Sequence, residues 1–162
     1  MSLDLQEAEK LKLNILHTTE LDQWIKEHHY LHTLPPAAKI RMEFVDDDGE
    51  RIGGMLWGIP TAPKLDKEHL LELTRMYFVD DTEHCAESKA LAMARKHIRK
   101  HYPQIHGIIA YSSTAERHKG TVYIADGWFK ISETKSANGS WENRPGRKNT
   151  DLSTKYKFGR TP

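Results

Sequence analysis

The segment from Leu70 to Ser112 constrains the fold more than any other part of the chain. "LLELTRMYFVD" (70–80) reads as a strand, and "AESKALAMARKHIRKH" (86–101) places Leu91, Ala94 and Ile98 on one helical face with Lys and Arg on the other. Pro103 forbids continuation of that helix, and "IHGIIAYS" (105–112) is an apolar run of buried-strand type. A strand, a helix and a strand in this order predict a parallel pair with a right-handed crossover inside a mixed sheet. Ligands of such units sit at the carboxyl ends of the strands. That rule singles out the 80–88 connection and the polar stretch "YSSTAERHKGTVYIADGW" (111–128).

The flanking sequence extends the same α/β pattern. "LKLNILH" (11–17) alternates as a strand, and Thr18 or Thr19 can cap a helix that puts Leu21, Trp24 and Ile25 on one face before Pro35-Pro36. "KIRMEFVD" and "RIGGMLWGIP" are joined by Asp46-Asp47-Asp48-Gly49, a strong hairpin signal. Gly53-Gly54 marks a bulge or a close backbone approach. After a short helix in the polar stretch, "WFKISETK" and "STKYKFGR" read as two more strands. The expectation is a single domain over 1–162, with a mixed central sheet flanked by helices and a basic C-terminal part from about residue 130.

No run of 18 apolar residues exists, the N-terminal segment lacks an apolar signal core, and Cys85 is the only cysteine; the expected setting is therefore a reducing cytoplasm, without a membrane. The net charge of +1 hides an asymmetry. Residues 130–162 carry eight Lys/Arg against three acids, which leaves −4 over the rest of the chain. A basic strip punctuated by Gly, Asn and Pro can track phosphates, although a solvated hairpin explains the charge as well. Ten histidines are present, and no pair has metal-ligand spacing together with a third ligand, so no zinc site is expected.

The element order resembles the Gcn5-related N-acetyltransferase fold, in which the fourth strand and the following helix hold acetyl-CoA. Here that segment is "LELTRMYFVDDTEHCAES", which lacks a glycine-rich pyrophosphate loop. Trp24 with "HHY" (28–30), the Arg of "LELTR", "AES" (86–88), "IIAYS", "HKGTVYIADGW" (118–128) and "GSWENRPGRKN" (139–149) together resemble the phage-borne Mom-like proteins, which modify adenine in DNA. The resemblance implies an enzyme converting adenine to an N6-acetamido (carbamoylmethyl) derivative that protects DNA from restriction. It implies Arg75, Ser88 and Tyr123 as catalytic residues, with Tyr123 protonating the departing thiolate. It also implies Phe78, Val79, Cys85, Ala86 and Ser88 around acetyl-CoA, and Tyr30, His118, Arg144, Arg147 and Lys148 against DNA. A homodimer is compatible with it.

One departure stands out. Where that family reads Tyr-Ala-Asp after the fifth strand, this chain reads Tyr111-Ser112-Ser113. Either Ser113 keeps a hydrogen-bonding role, or Glu116 substitutes, or the activity has changed. The chemistry adds its own constraint: amine attack on an acetyl thioester gives an amide, whereas a carbamoylmethyl group is attached through its methylene. A redox metal such as iron, or an activated glycyl donor, is one way to that bond, and the residue spacing selects neither. Two other functions fit the same residues: an acyl-CoA-dependent N-acetyltransferase acting on a small amine or a protein, and an inactive module of the same fold that binds nucleic acid. Each residue also has an ordinary explanation. Arg75 can belong to an ion pair, Ser88 can cap its helix, and Tyr123 can be a core aromatic with its hydroxyl at the surface. Strict alternation places Leu71, Leu73, Arg75 and Tyr77 on one sheet face and Glu72, Thr74 and Met76 on the other.

Overall fold

A computed structural model describes residues 11–28, 33–35, 37–79, 86–113, 120–134 and 155–162. The elements are β1 (Lys12–Leu16), α1 (Glu20–His28), β2 (Ile40–Val45), β3 (Arg51–Gly58), β4 (Leu70–Phe78), α2 (Ala86–His101), β5 (Gly107–Ser113), α3 (Thr121–Ala125), β6 (Phe129–Thr134) and β7 (Lys155–Arg160). They form a seven-stranded sheet in the order β1-β2-β3-β4-β5-β7-β6, and β4 with β5 is its parallel pair. The expected α/β class is the observed one, and the helix expected at 86–101 occupies that range.

The hairpin between β2 and β3 is held by Asp46, whose Oδ1 accepts the N–H groups of Asp48 and Glu50, both at 2.9 Å. Gly49 takes φ 79° as its N–H closes onto the Asp46 carbonyl at 3.1 Å. Asp46→Ala loses both side-chain acceptor contacts and should cost about 1–2 kcal/mol, read as a lower urea midpoint with an unchanged slope. The Gly53-Gly54 pair marks close approaches. A Cβ on Gly53 would lie 2.3 Å from the Phe78 ring, and one on Gly54 would lie 2.8 Å from Leu21. The bulge falls beside them, between Phe44 and Val45 in the β2–β3 register.

The two faces of the sheet bury different clusters. On one, Ala90, Leu91, Ala94 and Ile98 of α2 pack with Met42, Phe44, Met55, Trp57, Leu71, Leu73, Phe78 and Phe158. On the other, Leu21 and Ile25 of α1 pack on Leu56, with Trp24 and Tyr77 against them. Arg41 fixes α1 to the sheet, donating to both carboxylate oxygens of Asp22 at 2.8 and 3.3 Å. Arg51 bridges Glu20 and Glu43 and lies 5.3 Å over the Trp24 ring. These two carboxylates hold the Arg51 guanidinium charge, and they raise its pKa further despite partial burial.

Cluster membership corrects the strict alternation expected along β4. Leu71, Leu73, Met76 and Phe78 share the α2 face, whereas Tyr77 lies on the α1 face. The cause is a bulge: Leu56 pairs with Arg75 but Trp57 pairs with Leu73, so Thr74 is an extra residue. Its hydroxyl donates to the Leu56 carbonyl at 3.0 Å. Beyond Thr74 the strand's two faces exchange, and Arg75 therefore points away from the face that buries Leu71 and Leu73.

Candidate active site

The ladder between β4 and β5 is short. It runs from Leu70 opposite Gly107 to Leu73 opposite Ala110 and stops, although β4 continues to Phe78 and β5 to Ser113. The parallel strands thus part at the bulge, opening the sheet at their carboxyl ends, while the far edges stay paired to β3 and β7. Backbone groups of β4 that face the opening have no ladder partner on β5. The α2 helix begins at the mouth of this opening, eight residues after the end of its parent strand at Phe78, and its first-turn N–H groups and dipole favour anionic groups.

The α1 face of the opening is polar. Glu72, 6% exposed, pairs across the sheet with Gly58 on one side and Ile109 on the other. Its Oε1 accepts both the N–H and the hydroxyl of Thr61, each at 2.9 Å. Burial, with the Glu72 charge adding to it, raises the pKa of the Tyr111 phenol on β5. Arg75 donates from Nη1 to the Thr74 carbonyl at 2.7 Å and from Nη2 to the Thr33 hydroxyl at 3.1 Å. Its neighbour Tyr77 stacks on His28 at 5.5 Å and meets Trp24 edge-on at 5.4 Å. On β7, Lys157 stands opposite Tyr111 and Lys155 opposite Ser113, so both lysines occupy the same face as Tyr111.

On the α2 side, Tyr123 is 7% exposed between the rings of Trp128 at 5.2 Å and Phe158 at 5.3 Å. Its ring is thus a core residue. Gly120 opens the turn of α3 with φ 85°, and its carbonyl accepts from the Tyr123 N–H at 3.0 Å. Asp126 ends the turn. Its carboxylate accepts from Arg95 at 2.8 and 2.7 Å and from the Trp128 indole at 2.8 Å, while Arg160 donates to its carbonyl.

Several expected site residues can now be placed. Ser88 lies within the first turn of α2, which starts at Ala86, and not at the position ahead of the helix that a cap occupies. Ala86 is buried, as is Phe78, whose side chain packs in the core; any ligand contact of Phe78 is through its backbone. Val79 donates its N–H to the Ile52 carbonyl at 2.9 Å. Ser113 ends β5 opposite Lys155. Tyr30, Cys85, Glu116, His118, Arg144, Arg147 and Lys148 lie outside the described residues. Among the described residues no group of three His, Cys, Asp or Glu side chains converges as a metal site, and no helix is long and apolar enough to cross a membrane. Sequence reasoning missed Glu72, Thr61 and Asp126. The available signal for Glu72 was a carboxylate inside an otherwise apolar strand, which burial makes costly unless it is partnered.

The fold is shared with solved acetyltransferase structures at low sequence identity. The ribosomal-protein-S5-alanine acetyltransferase from Vibrio fischeri superposes with TM-score 0.64 at 13% identity, covering 96% of this chain and 94% of that one. A GNAT-family acetyltransferase from Streptococcus pneumoniae gives 0.63 at 8%, covering 94% and 99%. The spermidine/spermine N-acetyltransferase SpeG from Vibrio cholerae gives 0.60 at 10%, covering 94% and 92%. No curated protein matches the sequence. The model of the Mom protein family matches residues 10–160.

Proposed function

This chain belongs to the Mom protein family, and from that membership we propose that it is an acyltransferase-type enzyme acting on adenine in DNA. The product is the N6-acetamido (carbamoylmethyl) base, which shields DNA from restriction. The observation that carries the reading is the opening between β4 and β5 with the N-terminus of α2 at its mouth. An extended thioester arm fits the slot beyond the end of the β4–β5 ladder, and phosphate oxygens fit the first turn of α2 at Ala86 and Ser88. Acetyl-CoA or a related acyl-CoA would occupy this slot; an acetyl thioester alone transfers its carbonyl carbon and gives an amide, so the carbamoylmethyl product requires a donor carrying a leaving group on its methylene, such as an activated glycyl group. The 80–85 connection contributes no glycine and carries Asp80, Asp81 and Glu83, so phosphate binding falls to the helix turn rather than to a loop.

The residues divide by face. Arg75, Tyr111, Lys155 and Lys157 make the α1 side of the opening suited to a polyanionic acceptor, whose phosphates the lysines neutralise. The basic residues Arg144, Arg147 and Lys148, with Tyr30 and His118, extend that contact in this reading. Arg75 orients the acceptor, and Tyr123 gives a proton to the leaving group from the other side. Ser88 and Ser113 supply hydrogen bonds at the two ends of the opening. An adenine in duplex DNA reaches such a slot by leaving the base stack.

Nucleoside mass spectrometry of host DNA after expression tests the proposal. The expected result is a modified deoxyadenosine of the carbamoylmethyl mass, reduced roughly 10²-fold or more by Arg75→Ala and by Tyr123→Phe. Unmodified DNA together with acyl transfer to a small amine would move the acceptor away from DNA. Unmodified DNA with salt-sensitive DNA binding and no acyl-CoA binding would make the chain a binding module.

A further inference from the structure

β6 is the outer strand of the sheet, and its pairing with β7 contains an extra residue. Lys130 pairs with Phe158 and Ser132 with Lys157, which leaves Ile131 over. Strict alternation would put Phe129, Ile131 and Glu133 on one face. The bulge instead sets Glu133 opposite Tyr156 on the other face, where it pairs with Lys130 at 3.0 Å. Phe129 and Ser132 stay on the face of Lys157 and Tyr111. Ile131 joins them there, since its Cδ1 lies 2.5 Å from the point to which a Cβ on Gly159 would project. This face of β6 and β7 thus carries Phe129, 75% exposed, and Ile131, 56% exposed, together with Lys155 and Lys157. It holds no acid among the described residues of the two strands.

Adjoining apolar side chains left in water on an edge strand mark a contact surface. Lysines beside them, with the acid turned away, select a partner that is polyanionic and offers apolar faces, and bases between phosphates have that combination. The placement agrees. One row of paired residues runs Glu72, Ile109, Gly159 and Phe129 across β4, β5, β7 and β6. Phe129 therefore stands two strand spacings, about 10 Å, from Ile109 near the end of the β4–β5 ladder. That is less than the width of a DNA major groove, about 12 Å, so one duplex covers both. We propose that Phe129, propped by Ile131, is the wedge that enters the duplex beside the target adenine and holds the stack apart while the base occupies the opening. This contact rests on the DNA reading above, and it makes a paired adenine reachable. Lys155 and Lys157 bind the flanking phosphates. The outer position of β6 lets the wedge project with no further strand beside it.

The test uses the purified full-length chain and a duplex oligonucleotide with 2-aminopurine in place of its adenines, whose fluorescence rises when a base leaves the stack. The parent should raise it at saturating protein. Phe129→Ala should lose roughly 10-fold of that rise, and Phe129→Leu, which keeps an apolar wedge, should retain most of it. Both variants should melt within about two degrees of the parent, because the side chain is exposed. Both should also keep the parental dependence of affinity on salt, read by fluorescence anisotropy, since no charge is removed. Lys157→Ala is the contrast: its salt slope should fall by about one while the rise at saturation persists. A parent that leaves the duplex stacked, or a Phe129→Ala variant that opens it as the parent does, overturns the inference. So does a parental dimer that Phe129→Ala dissociates in sedimentation with unstacking unchanged, because the patch then seats a second copy. The DNA-modification reading fails separately: host DNA from cells expressing the parent then holds no modified deoxyadenosine, while the Phe129-dependent rise on duplex persists.

Discussion

Asp126→Ala should lower the unfolding free energy by about 3 kcal/mol and the melting temperature by about 6–12 °C. The Asp126 side chain is 5% exposed and gathers three donors: Arg95 Nε, Arg95 Nη2 and the Trp128 indole N–H. Arg95 is itself only 15% exposed. Alanine therefore leaves a mostly buried guanidinium and a buried indole N–H without their acceptor, and stranding such donors costs far more than the pair contributes when whole. The contrast is Lys130–Glu133, also an ion pair at 3.0 Å but with both side chains nearly half exposed. Glu133→Ala should change stability by less than about 0.5 kcal/mol, because water replaces the lost partner. Chemical denaturation of both variants checks the pair, and a loss below about 1 kcal/mol for Asp126→Ala would refute the account. Activity should fall with stability. The Trp128 backbone N–H donates to the Tyr123 carbonyl at 2.9 Å and its ring packs on Tyr123, so the residue that holds the Trp128 indole also holds the proposed acid.

What the sequence made legible follows the range of the forces involved. The α2 helix was readable to its ends because its apolar face repeats and Pro103 stops it locally. Asp46 to Gly49 was readable because turn chemistry is carried by the turn residues themselves. The bulge at Thr74 was not, since neither glycine nor proline marks it; it exists only as a mismatch between β3 and β4. That single mismatch reversed the face assigned to Arg75 and concealed Glu72, because a one-residue slip sends every later side chain to the other side. Asp126 was visible only as a letter in "ADGW". Its three donors come from residues 95 and 128, and the first of these is on another helix. The resemblance reached Arg75, Ser88 and Tyr123 by position, while the opening that gathers their chemistry depends on where a strand ladder ends.

Gly120→Ala should cost about 3 kcal/mol, roughly twice the effect of the same substitution at Gly49, although the two backbones are nearly alike. Gly120 has φ 85° and Gly49 has φ 79°, a region where a Cβ costs about 1–2 kcal/mol on its own. At Gly49 nothing lies within 4 Å of the added carbon, so that term stands alone. At Gly120 the carbon would meet the Phe158 ring at 2.4 and 2.5 Å and the buried Ser112 hydroxyl at 3.0 Å. Relief requires Phe158 to move, and Phe158 stacks on Tyr123, so the strain passes directly into the core of the α2 face at about 1–3 kcal/mol. Thermal unfolding of the two alanine variants separates the contributions, since the difference between them is the packing term alone. Equal losses would mean that the ring yields freely. An additional fall in turnover at Gly120→Ala, measured well below its melting temperature, would then report displacement of Tyr123. Gly49→Ala, remote in the β2–β3 hairpin, should leave turnover unchanged.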